Sequence, residues 1–143
     1  ETISFLSSRG IPTCAHLGLT PQSVYKLGGY KVQGTNTKNA NSIIESAKIL
    51  EASGVDIIVL ELIPSELGKK ITQHLKIPTI GIGAGIFVDG QVLVLYDMLG
   101  LSQGHKPKFV KSFFSKGETI EQAIKNYLNA VKTKEYPSSN HSY

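Results

Sequence analysis

Three short apolar runs in the sequence each end on residues that apolar packing does not require. One run ends on His16, a second ends on Glu61, and a third, which starts at Ile77, ends in the glycine cluster 81–85 (GIGAG). A carboxylate directly after a buried strand lies at the edge of an apolar layer, where burial raises its pKa. Glu61 is therefore a candidate general base, because a carboxylate with a raised pKa accepts protons closer to neutral pH.

Each of these residues also has a purely structural interpretation. His16 is compatible with a hydrogen-bonded histidine of the core, and Glu61 with a carboxylate that a helix dipole stabilises. The cluster 81–85 lacks the third glycine of the dinucleotide-binding spacing, so it marks either a close helix–strand approach or an anion site at a barrel rim. No group of carboxylates or histidines has metal-ligand spacing, so we expect no metal site in this chain itself.

Strand-like and helix-like segments alternate along the chain, which is typical of a parallel α/β sheet. The sequence predicts strands at 11–17, 55–62 and from 77 onward, helices at 1–10, 41–53, 66–75, 107–115 and 118–132, a long loop at 18–39 and a polar tail at 136–143. The apolar run 91–96 follows the glycine cluster more closely than a parallel crossover normally allows. We interpret it as a fourth strand, with a helix capped by Asp89 as the alternative.

Four strands with their helices correspond to half of a (β/α)8 barrel, in one domain over residues 1–143. Parallel sheets are normally covered on both faces, and unpaired strand edges need protection. We therefore expect this sequence to be a fragment of a larger barrel. The open edges would be the strand that contains His16 and the run from Gln91.

The composition is that of an ordinary globular protein, with 143 residues, 41% hydrophobic residues and a formal net charge of +4. The lysines are spread along the chain without a dense run, which argues against nucleic-acid binding. The single cysteine, Cys14, lies in an apolar run, so we expect it in the core of a protein from a reducing cytoplasm. No segment approaches the roughly 18 apolar residues of a membrane span, so we expect no membrane association.

Several longer motifs follow one another along the whole chain. They are residues 14–22 (CAHLGLTPQ), 28–34 (GGYKVQG), 59–61 (VLE), 81–85 (GIGAG), 89–94 (DGQVLV), 96–100 (YDMLG), 104–111 (GHKPKFVK), 136–137 (YP) and 141–143 (HSY). Taken in this order, they closely resemble the ketopantoate hydroxymethyltransferase (3-methyl-2-oxobutanoate hydroxymethyltransferase) family. Chance does not supply so many linked motifs, so the resemblance is specific.

The resemblance implies an enzyme of pantothenate (coenzyme A) biosynthesis with small-molecule substrates. Its reaction would transfer a hydroxymethyl group from 5,10-methylenetetrahydrofolate to 3-methyl-2-oxobutanoate, giving 2-dehydropantoate. The family is a magnesium-dependent (β/α)8 barrel that forms a cytoplasmic homodecamer. By motif match, Glu61 corresponds to the family's proton acceptor, and His16 to a histidine on the neighbouring strand that supports the active site.

The resemblance also implies that residues 1–143 are the C-terminal half of the barrel and that the N-terminal half is absent from this sequence. In the family, the first four strands carry the aspartate and glutamate ligands of magnesium, together with the serine and lysine that contact the keto acid. We therefore expect the chain alone to hold the base without the electrophilic magnesium site, and to be inactive. Two alternatives are a magnesium-dependent lyase of the phosphoenolpyruvate-type barrels, which also form enolates, and a non-catalytic fragment that self-associates through its open edges.

Overall fold

The computed structural model describes residues 1–104 and 106–143, and within them the central feature is a parallel sheet with strand order β1-β2-β3-β4. The strands are β1 (Cys14–Gly18), β2 (Ile57–Glu61), β3 (Thr79–Ile82) and β4 (Gly90–Gln91). The predicted α/β class with a four-stranded parallel sheet is confirmed. His105, part of the motif 104–111, lies outside the described residues.

Helices connect and follow the strands. They are α1 (Thr2–Ser7), α2 (Thr37–Ala52), α3 (Ser65–His74), α4 (Leu95–Met98) and α5 (Ile120–Lys132), with short 3-10 helices at Pro21–Ser23 and Ser139–His141. The side chain of Asn36 accepts a hydrogen bond from the N–H of Asn39 (2.9 Å) at the start of α2, and Thr119 caps α5 in the same way. These caps satisfy N–H groups that the first helical turn leaves unpaired. None of the helices within the described ranges is long and apolar enough to cross a membrane.

The sheet separates two apolar layers. Ile58 and Leu60 of β2 pack with α2 and α3 on one face. The second layer consists of the buried residues Leu19, Leu62, Ile82, Leu93, Met98, Phe109, Phe113, Tyr127, Ala130 and Tyr136. Side chains alternate between the two faces of a strand, so Val59 and Glu61 point away from α2 and α3. Glu61 therefore faces the second layer.

The run 91–96 is not the fourth strand that the sequence predicts. Only Gly90–Gln91 pairs with β3, and α4 begins at Leu95. Gln91 lies opposite Gly81, one residue before the end of β3. The neighbouring strand therefore offers almost no further backbone partners, and the apolar run leaves the sheet and enters a short helix.

The helix predicted at 107–115 is also absent, because this segment is neither helix nor strand. One of its backbone N–H groups has a hydrogen-bond partner in another element: the N–H of Phe113 donates to the carbonyl oxygen of Met98 at the end of α4 (2.8 Å). Phe109 and Phe113 are both buried in the second layer. Contacts with distant parts of the chain thus replace the local hydrogen bonds of a helix.

The segment 136–143 is packed, in contrast to the polar tail that the sequence predicts. Tyr136 is buried, and its hydroxyl donates to the carbonyl oxygen of Phe109 (2.6 Å). Its ring meets those of Phe113 and Tyr127 edge to face, with centroids 5.2 and 6.0 Å apart, an arrangement that favours aromatic pairs. This aromatic cluster anchors the segment against the second layer.

Cys14 is exposed, so its predicted place in the core is wrong. It begins β1, which has a neighbouring strand on one side only. Its partner in the register, Ile57, is itself 37% exposed. The apolar run indicated burial, but an edge strand provides cover for only part of its length.

Gly18 allows the ends of β1 and β2 to approach closely. Its φ is +89°, and a Cβ at this position would lie 2.1 Å from the carbonyl oxygen of Glu61. We predict that Gly18→Ala lowers the free energy of unfolding by about 3 kcal/mol, because the methyl group clashes with a backbone atom of the neighbouring strand. Urea unfolding of the two proteins measures the difference.

Gly117→Ala is the matched control for this substitution. Gly117 has a φ of +90°, and among the described residues no heavy atom other than those of its chain neighbours lies within 4 Å of its Cβ position. In this variant alanine takes up a left-handed backbone conformation, which lowers the free energy of unfolding, but its methyl group meets no other atom. Equal losses of stability in the two variants would contradict the steric explanation.

Candidate active site

The C-terminal ends of β1 and β2 bring His16 and Glu61 together. His16 lies opposite Val59 in the parallel register, and Gly18 lies opposite Glu61. Nε2 of His16 is 3.0 Å from Oε2 of Glu61. Two residues that are 45 positions apart in sequence thus form a direct contact, as expected for side chains at the ends of adjacent parallel strands.

The contact between these side chains is close, although it is not a linear hydrogen bond. Nε2 of His16 is buried, and no acceptor within the described residues is aligned with it. The side chains of His16 and Glu61 are 32% and 14% exposed. Burial raises the pKa of Glu61 above its ordinary value, while the charge and proximity of His16 partly counteract the increase. Glu61 therefore binds a proton more readily than a surface glutamate does.

The backbone around Glu61 is held from both sides. Its carbonyl oxygen accepts a hydrogen bond from the N–H of Leu19 (2.9 Å), and the N–H of Leu62 donates to the carbonyl oxygen of Ile82 (2.9 Å). Leu62 has a φ of +51°, a left-handed conformation that is unusual for a residue other than glycine. Such strained residues cluster at functional sites, where the surrounding structure holds them in place. No sequence pattern indicated this position.

Glu61 lines a cavity of about 750 Å³ on the second-layer side of the sheet. Its other lining residues are Leu19, Tyr30, Val32, Leu62, Ile82, Val94, Asp97, Lys106, Pro107, Lys108, Phe109 and Tyr143. The walls are thus mainly apolar, with Asp97 and the two lysines as further charged groups. A mainly apolar cavity with a few polar groups is typical of a small-molecule site.

Sequence reasoning did not single out Asp97, Lys106, Lys108 or Tyr143 as site residues. Each of them lies in one of the longer motifs, namely 96–100, 104–111 or 141–143. The signal that could have identified them was therefore the position of those motifs. The residue types alone gave no such indication, because charged residues and tyrosines are common on any protein surface.

The segment that ends at Tyr143 forms one wall of this cavity. The carbonyl oxygen of Tyr143 accepts a hydrogen bond from the N–H of Ser65 at the start of α3 (2.8 Å). Its hydroxyl accepts one from the backbone N–H of Lys108 (3.1 Å), and Nζ of Lys108 donates to the carbonyl oxygen of Ser142. These contacts hold the 106–109 segment and the 142–143 segment together beside the cavity.

The glycine cluster 81–85 serves close packing. A Cβ on Gly83 would lie 2.6 Å from the ring of Phe109, and a Cβ on Gly85 would lie 2.0 Å from the hydroxyl oxygen of Ser65. The cluster therefore lets the end of β3 approach both α3 and the second layer. This geometry favours the packing interpretation of the cluster over the anion-site interpretation.

The residues present do not form a metal site by themselves. Within residues 1–104 and 106–143, no group of three or more histidine, cysteine, aspartate or glutamate side chains lies close enough together to hold a metal ion. Magnesium prefers several oxygen ligands in an octahedral arrangement. Glu61 and Asp97 both line the cavity, but two carboxylates fall short of such a set.

Comparisons with known proteins agree with the geometry of an enzyme site. A family model described as ketopantoate hydroxymethyltransferase matches residues 1–139. A 3-methyl-2-oxobutanoate hydroxymethyltransferase from Nitrosomonas eutropha is 54% identical over 143 residues, which are 100% of this chain and 53% of that protein.

Two further relatives carry the same name and show the same coverage. The protein from Marinobacter nauticus is 54% identical over 100% of this chain and 54% of its own length. The protein from a Marinomonas species is 52% identical over 100% of this chain and 52% of its own length. The chain thus spans about half the length of the curated relatives that it matches.

We predict that His16→Phe raises the pKa of Glu61 further. The phenyl ring preserves the burial that raises this pKa, but it removes the nitrogen that favours the ionised carboxylate. Carbon-13 NMR titration of the Glu61 carboxyl group should therefore show a midpoint at higher pH than in the wild type. His74→Phe, on α3, is the control and should leave the midpoint unchanged. A midpoint of Glu61 that stays constant or falls in His16→Phe would refute the electrostatic role of His16.

Proposed function

Since the chain belongs to the ketopantoate hydroxymethyltransferase family, we propose that a longer protein containing it makes 2-dehydropantoate from 3-methyl-2-oxobutanoate. The one-carbon donor in this proposal is 5,10-methylenetetrahydrofolate, and the pathway is that of pantothenate biosynthesis. The observation that carries the proposal is a carboxylate, that of Glu61, which is only 14% exposed and contacts His16 at the wall of a large, mainly apolar cavity. The family match favours this transferase over a lyase of the phosphoenolpyruvate-type barrels.

Glu61 is the proton acceptor in the proposed reaction. It removes the proton from the carbon next to the ketone of 3-methyl-2-oxobutanoate, and the electrons of that C–H bond form the enolate double bond. Water adds to the methylene group of the donor, its two C–N bonds break, and a formaldehyde unit and tetrahydrofolate are formed. The enolate carbon then attacks the formaldehyde carbon, so that the new C–C bond forms while the C=O bond of formaldehyde becomes the hydroxyl group, which takes up the proton held by Glu61. A base with a raised pKa suits the first step, because the proton is held only weakly by an ordinary carboxylate.

In this proposal His16 positions the base and favours its ionised form. Its Nε2 lies 3.0 Å from Oε2 of Glu61, so it restricts the orientation of the carboxylate. The same contact limits how far burial raises the pKa of Glu61. Without such a limit, burial would raise the pKa of the carboxyl group further and leave less of it in the ionised form that accepts a proton.

Magnesium belongs to the proposal through the family resemblance, with its ligands outside this chain. The described residues do not supply a sufficient set of oxygen ligands. When bound, a divalent cation stabilises negative charge on the keto oxygen of an enolate. The homodecamer and the cytoplasmic location that the resemblance implies are parts of the same proposal.

We also propose that the sheet is the C-terminal half of a (β/α)8 barrel. β1 and β4 each have one neighbouring strand within the described residues, and both therefore present unpaired backbone groups. The curated relatives are about twice as long as this chain, which is enough sequence for four further strands and helices. Closing a barrel pairs both edges and places all strand ends around one opening.

We predict that Glu61→Gln lowers kcat by about 10²-fold or more in a full-length protein carrying this chain. Glutamine keeps the shape of the side chain but cannot accept the proton. Deuterium exchange into 3-methyl-2-oxobutanoate, followed by NMR, measures proton removal separately from transfer of the one-carbon unit. Glu45→Gln, which alters a surface ion pair with Lys48, should behave like the wild type. Wild-type exchange by Glu61→Gln would eliminate Glu61 as the base.

The half-barrel proposal makes a separate prediction about two co-expressed polypeptides. This chain, produced together with the remaining half of a full-length family protein, should form a one-to-one complex with transferase activity, because each half supplies the edges and ligands that the other lacks. This chain alone should show no turnover under the same conditions. Size-exclusion chromatography with an activity assay tests both statements, and full activity of the chain alone would disprove the division of the site between two halves.

A further inference from the structure

The charged groups of the cavity are arranged by depth. Glu61 is at the covered end, where its side chain is only 14% exposed. Lys106 and Lys108 line the same cavity, and both are exposed to solvent. The cavity therefore runs from a buried carboxylate, across apolar walls, to two lysines at its rim.

We propose that Lys106 and Lys108 bind the carboxylates of the glutamate tail of the folate donor. This inference rests on the proposed function, and it adds the part of the cavity that recognises the end of the donor farthest from the chemistry. The reactive methylene group is carried by the pterin end of the donor, and the glutamate carboxylates are at the opposite end. A donor with its methylene group near Glu61 would thus extend its carboxylates toward the rim.

The size of the cavity supports a second, larger ligand beside the keto acid. A volume of about 750 Å³ lies within the range of roughly 300–1,000 Å³ that is common for sites of drug-sized ligands. A five-carbon keto acid fills only a small part of that space. The apolar walls, which include Leu19, Val32 and Phe109, suit the flat aromatic portion of a folate.

The charges at the rim favour an anionic group. Within the ranges that the structure describes, the lysine–carboxylate ion pairs join Lys48 to Glu45 and Lys125 to Glu121. Neither Lys106 nor Lys108 has a carboxylate partner there. Two lysines without anionic partners at the mouth of a cavity attract a carboxylate ligand and increase its rate of association.

Lys108 is already held in position by the cavity wall. Its Nζ donates to the carbonyl oxygen of Ser142 and lies 5.7 Å from the centre of the Tyr143 ring. A side chain that is ordered before binding loses less conformational entropy when the ligand arrives. Asp97, which carries the opposite charge, lines the cavity from α4, so the two lysines and not this part of the wall attract a carboxylate.

The test uses a full-length protein carrying this chain and the mono- and triglutamate forms of 5,10-methylenetetrahydrofolate. In Lys106→Gln, we expect the KM for the triglutamate to rise about 5-fold, which corresponds to the loss of one exposed charge pair. The KM for 3-methyl-2-oxobutanoate and kcat should remain within about 2-fold of the wild type. Lys106→Arg should retain the wild-type KM, since it preserves the charge.

Lys132→Gln is the matched control, because it removes the same charge from the exposed last turn of α5. It should leave all kinetic constants unchanged. Raising the salt concentration should increase the KM for the triglutamate in the wild type and have a smaller effect in Lys106→Gln, since screening weakens exposed charge pairs. The double variant Lys106→Gln with Lys108→Gln should show a larger rise than either single variant.

The possible outcomes separate this inference from the proposed function. A wild-type protein without turnover of either donor would overturn the proposed function and this inference together. Wild-type turnover with an unchanged KM for the triglutamate in the double variant would overturn the inference alone. A rise confined to the KM for 3-methyl-2-oxobutanoate would also overturn it, because the lysines would then bind the keto acid.

Discussion

The position of Glu61 depends on a close approach between two backbones. Gly18 lies opposite Glu61 in the parallel register, and any Cβ on Gly18 would meet the carbonyl oxygen of Glu61. The next residue, Leu19, donates its N–H to that same oxygen. The glycine therefore permits, and the hydrogen bond maintains, the geometry in which the side chains of the two strand ends meet. The contact between His16 and Glu61 follows from this backbone arrangement.

Burial and charge act in opposite directions on Glu61, and the balance between them determines what this carboxylate can do. Burial alone would favour the protonated form, which cannot accept a proton. The nearby His16 favours the ionised form, so the pKa of Glu61 is raised less than burial alone would raise it. The strained backbone of Leu62 belongs to the same region, and its N–H is fixed by the carbonyl oxygen of Ile82. The backbone next to the carboxylate is thus held by hydrogen bonds on both sides.

The cavity beside Glu61 is completed by segments that are distant in sequence. Tyr136 is anchored in an aromatic cluster and hydrogen-bonded to Phe109, which is itself a wall of the cavity. Tyr143 connects the start of α3 with the backbone of Lys108. The same contacts that stabilise the end of the chain therefore shape the cavity and set the location of the two rim lysines.

The sequence by itself determined the parallel α/β class and the order of the first three strands and helices, and it singled out Glu61 and His16 as candidate site residues. These features follow from apolar periodicity and from polar residues at strand ends, which are local signals. Only the tertiary structure decided the conformation of three segments, namely 91–96, 107–115 and 136–143. In each case, backbone groups and apolar side chains find partners far away in sequence, and such partners outweigh local propensity. For the same reason, only the folded chain shows that Lys106, Lys108 and Tyr143 share a cavity with Glu61.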